Sequence, residues 1–551
     1  MVNFSLSHRK GADCWNTDVG SLLFLVIVTI LLALPASYEP HHFAKTLFVG
    51  ALGQSFAYAC VLALLTLWSK SLRRIVFTIV FVLFCVESFL FFRFGSRFDP
   101  NMLTMMLQTS WRESTEFFAV YILSLRSLLF LCGAAVLFIL LQRCMESPRL
   151  TRPVRIGKVQ ALMGVGLFAV CAALPLIPLP FPLGKNTVNQ LAMSVGFVTE
   201  RHAEVEKMAN MIDQIVVSKS PAEPAAPVIV LVIGESFNKQ HSSLYGYALR
   251  TSPILERELE AGRLLRYTKA ISPTNGTDFA MRFIFTLKGC EHADSTDRRQ
   301  YVLFPAVFKK AGYYVAYFDN QYTRSTGGSL DYSCGYFLNP TYINEHCFDR
   351  RNAEITAYDG DFVDRYREEF SKKHKSLNII HLMGQHFDAR LRFPAPAFAR
   401  FDRDSIHRAD LSDSERQQVA DYDNATLYND YVMGKIIDTF RDTEAVIVYL
   451  SDHGEQVYEG PQRYFGRGFG STDDEVTLKS IYEVPFMVWC SDSFISKHAD
   501  KYAALKHSTP EPLCTADVAF LLFDLADIDF NYNVKQKSFI DAGYRQHEVK
   551  F

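Results

Sequence analysis

The stretch Ala445-Val446-Ile447-Val448-Tyr449-Leu450-Ser451-Asp452-His453-Gly454 is an apolar run that ends in a carboxylate and an imidazole. A short apolar run bounded by polar residues is typical of a buried strand. Open α/β sheets place their sites at the carboxyl ends of strands, and Asp and His are both metal ligands. Taken alone, this segment also fits a surface loop or a pair of satisfied hydrogen bonds.

A second segment favours the metal site. Residues 228–233 are all aliphatic, and they end in Gly234-Glu235-Ser236. Two further strand ends are polar as well, and they carry Asp319-Asn320-Gln321 and Gly384-Gln385-His386. The predicted strands, which alternate with helical patterns, span residues 228–233, 313–318, 377–383, 445–450 and 484–489. This alternation predicts an α/β domain with a mostly parallel central sheet, covered on both faces and polar along one edge.

A candidate nucleophile lies between these strands. Asn275-Gly276-Thr277-Asp278 precedes a helical pattern at residues 279–287, which places Thr277 at a helix N-terminus. The unpaired N–H groups there favour an alkoxide and a bound phosphate oxygen. The alternative is that Thr277 only caps the helix.

The first third of the chain has the composition of a membrane domain. Residues 19–38, 46–69 and 159–184 contain no Asp, Glu, Lys or Arg, and each is long enough to cross a bilayer as a helix. Residues 75–92 are interrupted only by Glu87 and residues 117–142 only by Arg126. We therefore predict five spans. Each of the two charged residues fits either a functional site within the membrane or a position near a helix end.

The basic residues predict the orientation of the spans. Residues 70–74 contain three basic residues and no acid, and residues 143–158 contain five basic residues and one acid. These two loops should be cytoplasmic. An odd number of spans then places the rest of the chain on the other side, which in a bacterium is the periplasm. The net charge of -2 and the lack of a basic aromatic patch argue against nucleic acid as a partner.

These patterns divide the chain into three parts. Residues 1–184 form the predicted transmembrane domain and residues 227–551 the predicted α/β domain. Residues 185–226 join them, with a helical stretch at 200–215 followed by a linker that contains three prolines, Pro221, Pro224 and Pro227, the last at the domain boundary.

Five of the eleven cysteines fall outside the membrane part, which suits an oxidising compartment. Cys334 and Cys347 bracket a short loop and are the pair we expect to be disulfide-bonded, although the spacing does not fix the pairing. We expect Cys490, at the end of an apolar run, to be a buried thiol.

The combination of motifs resembles one known family. The motifs are five spans, Gly-Glu-Ser, Ser243-Leu244-Tyr245-Gly246-Tyr247, Arg250-Thr251-Ser252-Pro253, Gly276-Thr277 and Ser451-Asp452-His453-Gly454-Glu455. In this order they resemble the phosphoethanolamine transferases of lipid A and of the lipopolysaccharide core. These enzymes belong to the alkaline phosphatase and sulfatase superfamily, so the resemblance implies a C-terminal sulfatase-like domain attached to a bacterial inner membrane.

The resemblance implies a zinc ion held by Glu235, Thr277, Asp452 and His453. Oxygen ligands with one imidazole suit zinc, and coordination lowers the pKa of the threonine hydroxyl. The resemblance also implies two successive displacements at phosphorus. Thr277 takes phosphoethanolamine from phosphatidylethanolamine and releases diacylglycerol, and an acceptor then takes the group from Thr277.

Three further residues match positions at which the family binds substrate. His386 corresponds to a histidine that contacts substrate or a second zinc, and it could protonate a leaving group. Thr109 and Glu113 match a pair that binds the ethanolamine headgroup, and four residues apart they share one helix face. His381 also has a counterpart in relatives, and we interpret it as mainly structural.

The sequence departs from the family at two places. Met105 stands where the family has an asparagine four residues before the threonine, which weakens the headgroup prediction. Residues 463–468 lack a histidine that many relatives have, and Arg467 lies there instead. Arg467 would bind phosphate as a fixed charge, which puts a second zinc in doubt. Arg324 is a further candidate for a phosphate contact.

Alternative functions remain open at this stage. A phosphoglycerol transferase of the lipoteichoic-acid synthase kind has the same spans, nucleophile and metal ligands. A sulfatase would need a cysteine or serine at position 277. A catalytically silent membrane sensor that binds lipid headgroups would be expected to have lost a metal ligand. The acceptor, whether a lipid A phosphate, a core heptose or a periplasmic glycan, cannot be decided from motifs.

Overall fold

The computed structural model describes residues 14–38, 44–66, 70–94, 98, 111–147, 153–157, 187–222, 226–290, 297–324, 334–461, 463–467 and 474–544, some of them by backbone only. The chain divides into two compact units. One comprises residues 1–200 with 468–470, and the other comprises residues 201–467 and 471–551. The predicted limits at 184 and 226 stay a prediction.

The first unit contains long apolar helices. Its helices are α1 (Val19–Ala33), α2 (Ala44–Thr66), α3 (Lys70–Phe94), α4 (Trp111–Phe117) and α5 (Leu125–Glu146). Within the described part of the chain, three segments are long and apolar enough to cross a membrane: Gly20–Ser37, Ser71–Arg93 and Leu125–Glu146. The second predicted span coincides with α2, and the fifth, at residues 159–184, lies outside the described residues. The count of five therefore stays a prediction.

The fourth predicted span begins later than the sequence indicated. A helical segment covers 117–122, but α5 starts only at Leu125 because the extended residue Ser124 caps it and accepts a hydrogen bond from the backbone N–H of Ser127. Arg126 is thus the second residue of α5 and exposed, which favours the helix-end interpretation. Glu87, in contrast, is buried within α3.

The second unit is built on a mixed seven-stranded sheet. Its strands are β1 (Val228–Gly234), β2 (Leu264–Tyr267), β3 (Tyr314–Asp319), β4 (Arg350–Arg351), β5 (Ser376–His381), β6 (Ala445–Ser451) and β7 (Phe486–Cys490). The order is β2-β7-β6-β1-β5-β3-β4. The pairs from β6 to β4 are parallel, whereas β7 is antiparallel to both of its neighbours. The strand predicted at 484–489 therefore runs antiparallel to the other strands of the sheet.

Both faces of this sheet are buried, as the unbroken apolar strands predict. Alternate residues of β1 point to opposite sides: Ile229, Leu231 and Ile233 belong to one core, and Val228 and Val232 to the other. Each of these side chains is at most 1% exposed, and full burial of one contributes about 1.5–3 kcal/mol to stability. Burial on both faces fixes β1 at the centre of the domain.

Helices cover the two faces. They are α6 (Thr187–Ile212), α7 (Pro253–Glu260), α8 (Thr277–Phe285), α9 (Phe304–Lys310), α10 (Thr341–Cys347), α11 (Asp359–Tyr366), α12 (Asp413–Phe440), α13 (Glu475–Tyr482), α14 (Asp492–Lys497), α15 (Ala499–Ser508) and α16 (Val518–Leu525). The longest, α12, starts with a capping box in which Ser412 and Glu415 bond to each other's backbone N–H. The linker helix α6 is longer than the predicted stretch at 200–215 and ends earlier.

The disulfide prediction was wrong. The structure links Cys290 to Cys514, which are 224 residues apart in sequence. Cys334 and Cys347 are both buried free thiols. A turn and α10 fill the sequence between them, so their closeness in sequence does not bring the two sulfur atoms together. Cys490 is a buried free thiol, as predicted.

Candidate metal centre and active site

The strand register brings the polar strand ends together. Gly234 of β1 lies opposite Ser451 of β6, and Ile233 lies opposite His381 of β5. The residues that follow β1 and β6 are therefore neighbours at one edge. Glu235, Asp452 and His453 are fully buried there, with one ligand atom of each lying within 4.8 Å of the others.

Thr277 joins this cluster as the first residue of α8. Its Oγ1 donates a hydrogen bond of 3.0 Å to Glu235 Oε2 and lies 3.1 Å from His453 Nε2. Gly276 occupies the N-cap position, so Thr277 does not cap the helix. Its hydroxyl faces the buried ligands, beside the free N–H groups of the first helical turn.

Hydrogen bonds orient each member of the cluster. Ser236 Oγ donates to Glu235 Oε1 over 2.6 Å, and Gln321 Nε2 donates to Glu235 Oε2 over 3.0 Å. The backbone N–H groups of Ser236 and His453 donate to Asp452 Oδ1. His453 Nδ1 lies 2.8 Å from the Gly454 carbonyl oxygen, and a proton on Nδ1 leaves the Nε2 lone pair facing the cluster.

The charges in the cluster are not balanced by hydrogen bonds alone. Burial and the neighbouring Glu235 raise the pKa of Asp452 well above its usual range. Burial and, as the second cause, the positive charge of Arg467 lower the pKa of His453 to about 3, so the imidazole is neutral. Asp452 Oδ2 is buried without a hydrogen-bond partner in the described part of the chain. Two carboxylates, a neutral imidazole and an unbonded carboxylate oxygen fit a divalent metal ion.

A backbone contact supports Glu235 from the side of β5. Gly384 has a φ of +50°, and a Cβ at this position would lie 2.8 Å from both N and O of Glu235. Only glycine fits such an approach without displacing the backbone. The Gln385 N–H donates to the Glu235 carbonyl oxygen over 3.0 Å. The turn that precedes His386 therefore rests directly on the backbone of Glu235.

The other predicted site residues differ in how far the structure describes them. His386 is half-buried, and its charge contributes to lowering the pKa of Glu235. Arg467 Nη1 lies 2.5 Å from His453 Nε2, and Arg467 Nε lies 3.3 Å from Glu455 Oε2. Thr109 is outside the described residues, and Glu113 belongs to α4 but its side chain is not described.

Arg324 and His381, two residues singled out from the sequence, make hydrogen bonds within the protein. Arg324 donates to the Asn339 carbonyl oxygen and to Thr341 Oγ1, which anchors its loop to the start of α10. His381 is fully buried, and its Nδ1 lies 3.1 Å from Asp319 Oδ1. Ser236 and Gln321, the partners of Glu235, both belong to the polar strand ends, but no motif distinguishes them from the other polar residues there.

Comparison with family models identifies the fold. Residues 227–526 match the model described as Sulfatase, which covers more than half of the chain. The chain belongs to the sulfatase family. Residues 56–179 match a second model, described as Phosphoethanolamine transferase EptA/EptB. Within the sulfatase family the chain is a phosphoethanolamine transferase, so the predicted resemblance is confirmed.

Individual relatives agree with this assignment. Phosphoethanolamine transferase EptC of Escherichia coli (strain K12) is 25% identical over 490 residues, which are 83% of this chain and 79% of the relative. The integral membrane protein EptA from Neisseria meningitidis, a lipooligosaccharide phosphoethanolamine transferase, superposes with a TM-score of 0.65 at 17% identity, over 96% of both chains. The C-terminal periplasmic domain of EcEptC from Escherichia coli, in complex with Zn, superposes with a TM-score of 0.51 at 24% identity, over 60% of this chain and 90% of that one.

Proposed function

We propose that this transferase moves phosphoethanolamine from phosphatidylethanolamine to a lipopolysaccharide acceptor, in lipid A or in a core sugar, or to another periplasmic glycan. Thr277 is the proposed nucleophile, and Glu235, Thr277, Asp452 and His453 are the proposed zinc ligands. The observation that carries this proposal is the position of Thr277 Oγ1, 3.0 Å from Glu235 Oε2 and 3.1 Å from His453 Nε2 at a helix N-terminus.

The zinc proposal rests on the donor set. Buried oxygen ligands with one neutral imidazole nitrogen suit zinc, and a zinc complex is known for the periplasmic domain of the E. coli relative. When bound, zinc would lower the pKa of the Thr277 hydroxyl and offset the negative charge of the two carboxylates.

The first half-reaction forms a phosphothreonine ester. Thr277 Oγ1 bonds to phosphorus while the bond from phosphorus to the diacylglycerol oxygen breaks. Glu235 Oε2 already accepts the Thr277 hydrogen bond and is placed to take its proton. His386, at the same edge of the sheet, is the proposed acid that protonates the departing oxygen. In the second half-reaction the acceptor oxygen bonds to phosphorus while the bond from phosphorus to Thr277 Oγ1 breaks; the deprotonated His386 takes the acceptor proton, and Thr277 Oγ1 regains its proton from Glu235.

Arg467 is proposed to hold a phosphate oxygen. In the structure its Nη1 lies 2.5 Å from His453 Nε2. Nε2 has one lone pair, so an imidazole that held a metal ion would not accept this bond, and the Arg467 guanidinium would then be available to substrate. Thr109 and Glu113 stay proposed contacts of the ethanolamine ammonium, with Arg324 as a further proposed phosphate contact.

The apolar helices of the first unit suit an enzyme whose donor is a membrane lipid. We propose a bacterial inner-membrane location with several spans and with the catalytic unit in the periplasm. This placement puts the nucleophile on the side where lipopolysaccharide precursors are modified, and it rests on the distribution of basic residues in residues 70–74 and 143–158.

Intact-protein mass spectrometry tests the proposal. The purified full chain is incubated with headgroup-labelled phosphatidylethanolamine, alongside Thr277→Ala and a zinc-chelated sample. We expect an adduct of phosphoethanolamine mass on Thr277 that is absent from both controls. An adduct formed only from phosphatidylglycerol would replace the proposal with a phosphoglycerol transferase, and no adduct from either lipid would leave a headgroup-binding sensor.

A further inference from the structure

A second buried polar cluster lies beside the proposed metal centre. His241 Nδ1 is 2.7 Å from Asp423 Oδ1, and His241 Nε2 is 2.8 Å from Glu459 Oε1. Tyr247 donates its hydroxyl to the other Asp423 oxygen over 2.8 Å. The side chains of His241, Asp423 and Glu459 are 7%, 0% and 14% exposed. We call His241, Asp423, Glu459 and Tyr247 the His241 cluster.

The geometry makes His241 a cation. Both ring nitrogens face a carboxylate oxygen, and each such contact needs a proton between the two atoms, which an imidazolium supplies on both sides. Burial lowers the pKa of His241, but Asp423 and Glu459 outweigh burial and raise that pKa to about 10. The imidazolium is therefore held at every physiological pH, and it balances one of the two buried negative charges.

The cluster joins three segments of the chain. His241 ends a short turn, Lys239–His241, six residues after Glu235. Glu459 lies six residues after His453, and Asp423 belongs to α12. The two loops that carry the proposed metal ligands are thus tied to each other and to the longest helix through one imidazole.

Short hydrogen-bonded paths lead from the His241 cluster to the ligands. Asn238 Nδ2 donates to Glu459, and the Asn238 backbone N–H donates to the Tyr422 hydroxyl over 2.7 Å. The Tyr422 hydroxyl donates to the Ser236 carbonyl oxygen over 2.6 Å. Ser236 in turn bonds to Glu235 through its side chain and to Asp452 through its N–H. A change at His241 therefore reaches Glu235 and Asp452 along the path Glu459, Asn238, Tyr422 and Ser236.

We propose that His241 is a positioning residue for the metal centre, because its imidazolium fixes the loop of Glu235 against the loop of Asp452 and His453. This inference rests on the proposed function. Replacement of His241 by glutamine removes the cation that Asp423 and Glu459 share, and with it the tie between the Glu235 loop, which carries His241, and both α12 and the loop of Glu459. The Glu235 loop is then free to shift against the loop of Asp452 and His453, so the metal ligands no longer hold a common geometry. Loss of groups that orient metal ligands typically weakens affinity by about 10- to 100-fold.

His498 provides a matched control. Its Nε2 lies 2.8 Å from Glu444 Oε1 in the same unit, with side chains 14% and 4% exposed. Glu444 precedes β6, at the opposite end from Asp452. His498→Gln removes a comparable histidine–carboxylate contact without touching either ligand loop.

The test measures zinc affinity of the purified full chain in detergent, by competition with a chromophoric chelator, together with the melting temperature of the metal-free protein. We expect His241→Gln to weaken zinc binding by about 10- to 100-fold. His498→Gln should lower the melting temperature without weakening zinc binding. Tyr247→Phe, which removes one hydrogen bond from Asp423, should weaken zinc binding to a smaller extent and serves as the readout if His241→Gln does not fold.

Three results would overturn the inference. The first is wild-type zinc affinity in folded His241→Gln, or in Tyr247→Phe where that variant is the readout. The second is an equal loss of affinity in His498→Gln, which would make the effect one of general stability. The third is a wild-type chain that binds no zinc, and this result alone also removes the proposed function.

Discussion

The His241 cluster differs in charge from the group formed by Glu235, Thr277, Asp452 and His453, which we call the metal-centre cluster. In the His241 cluster a positively charged imidazole lies between two carboxylates, whereas in the metal-centre cluster two acidic side chains face a neutral imidazole. Both clusters lie at the same end of β1 and β6, only six residues apart along each loop, and Glu235, Asp452, His453, His241 and Asp423 are buried. The first has both ring nitrogens and both carboxylates paired. The second leaves Asp452 Oδ2 without a hydrogen bond in the described part of the chain.

This difference in charge pairing shows that burial alone does not turn a polar cluster into a binding site. Buried charge is costly unless the protein or a ligand compensates it. The His241 cluster is compensated from within and stabilises the fold. In the metal-centre cluster Arg467 offsets part of the negative charge, but the pKa of Asp452 stays raised and its Oδ2 has no hydrogen bond in the described part of the chain, and the proposed zinc ion would complete the compensation.

The largest expected contrast is in catalysis. Thr277→Ala removes the hydroxyl of the metal-centre cluster and with it the proposed nucleophile, so phosphoethanolamine transfer should fall by at least about 1,000-fold. Tyr247→Phe removes the hydroxyl of the His241 cluster, and transfer should fall by less than about tenfold, in line with one lost hydrogen bond. Both rates are measured with labelled donor lipid in the same detergent. A comparable loss in the two variants would break the distinction.

Stability should respond with opposite signs in the metal-free protein. Asp452→Asn removes a carboxylate that repels Glu235, and the free energy of unfolding should rise by about 1 kcal/mol, as is common when a strained site is relieved. Asp423→Asn deprives the buried imidazolium of a partner, and the free energy of unfolding should fall by about 3 kcal/mol. Urea unfolding with a chelator present measures both. A fall in both variants would mean that the metal-centre cluster is also compensated from within.

Zinc binding should release a proton. Burial and the neighbouring Glu235 raise the pKa of Asp452 in the metal-free protein, and coordination requires the carboxylate, so zinc binding favours loss of the proton. Apparent zinc affinity should therefore rise with pH, by about tenfold per pH unit for one proton. Titration calorimetry in buffers of different ionisation enthalpy counts the protons. Heats that do not depend on the buffer would contradict the expectation.

The smallest effect concerns alkaline stability. The folded-state pKa of His241 is about 10, above its usual 6.5, so between these values the folded chain keeps a proton that the unfolded chain releases. This contribution to stability is complete below pH 6.5 and is lost as the pH rises toward 10, at no more than about 1.4 kcal/mol per unit. Urea unfolding from pH 7 to 9 should show a flatter decline in His241→Gln than in wild type. An unchanged decline would show that His241 is not charged.

The sequence predicted the parts of the fold that depend on local pattern. The unbroken aliphatic run of β1 and the run of β6 are central strands, and the polar residues after them meet, because parallel neighbours share an edge. The antiparallel direction of β7 was not predictable, since a buried apolar strand looks the same in either direction. The predicted pairing of Cys334 with Cys347 was wrong because it relied on closeness in sequence. The disulfide in the structure joins Cys290 to Cys514, which are remote from each other in sequence.

The proposed ligands were predictable from motifs, but their surroundings were not. Glu235, Thr277, Asp452 and His453 come together in the structure, where Thr277 begins α8 instead of capping it. The His241 cluster gave no signal in the sequence, because residues 241, 423 and 459 belong to no common motif. Their contact depends on how α12 packs beside two loops, and that is decided by the tertiary fold.

Diffraction from zinc-loaded crystals of the chain, recorded on both sides of the zinc absorption edge, would show which of the two clusters binds the metal ion. We expect an anomalous peak bounded by Glu235, Thr277, Asp452 and His453, with none between His241, Asp423 and Glu459. A peak in the His241 cluster, or no peak at the strand edge, would contradict this expectation.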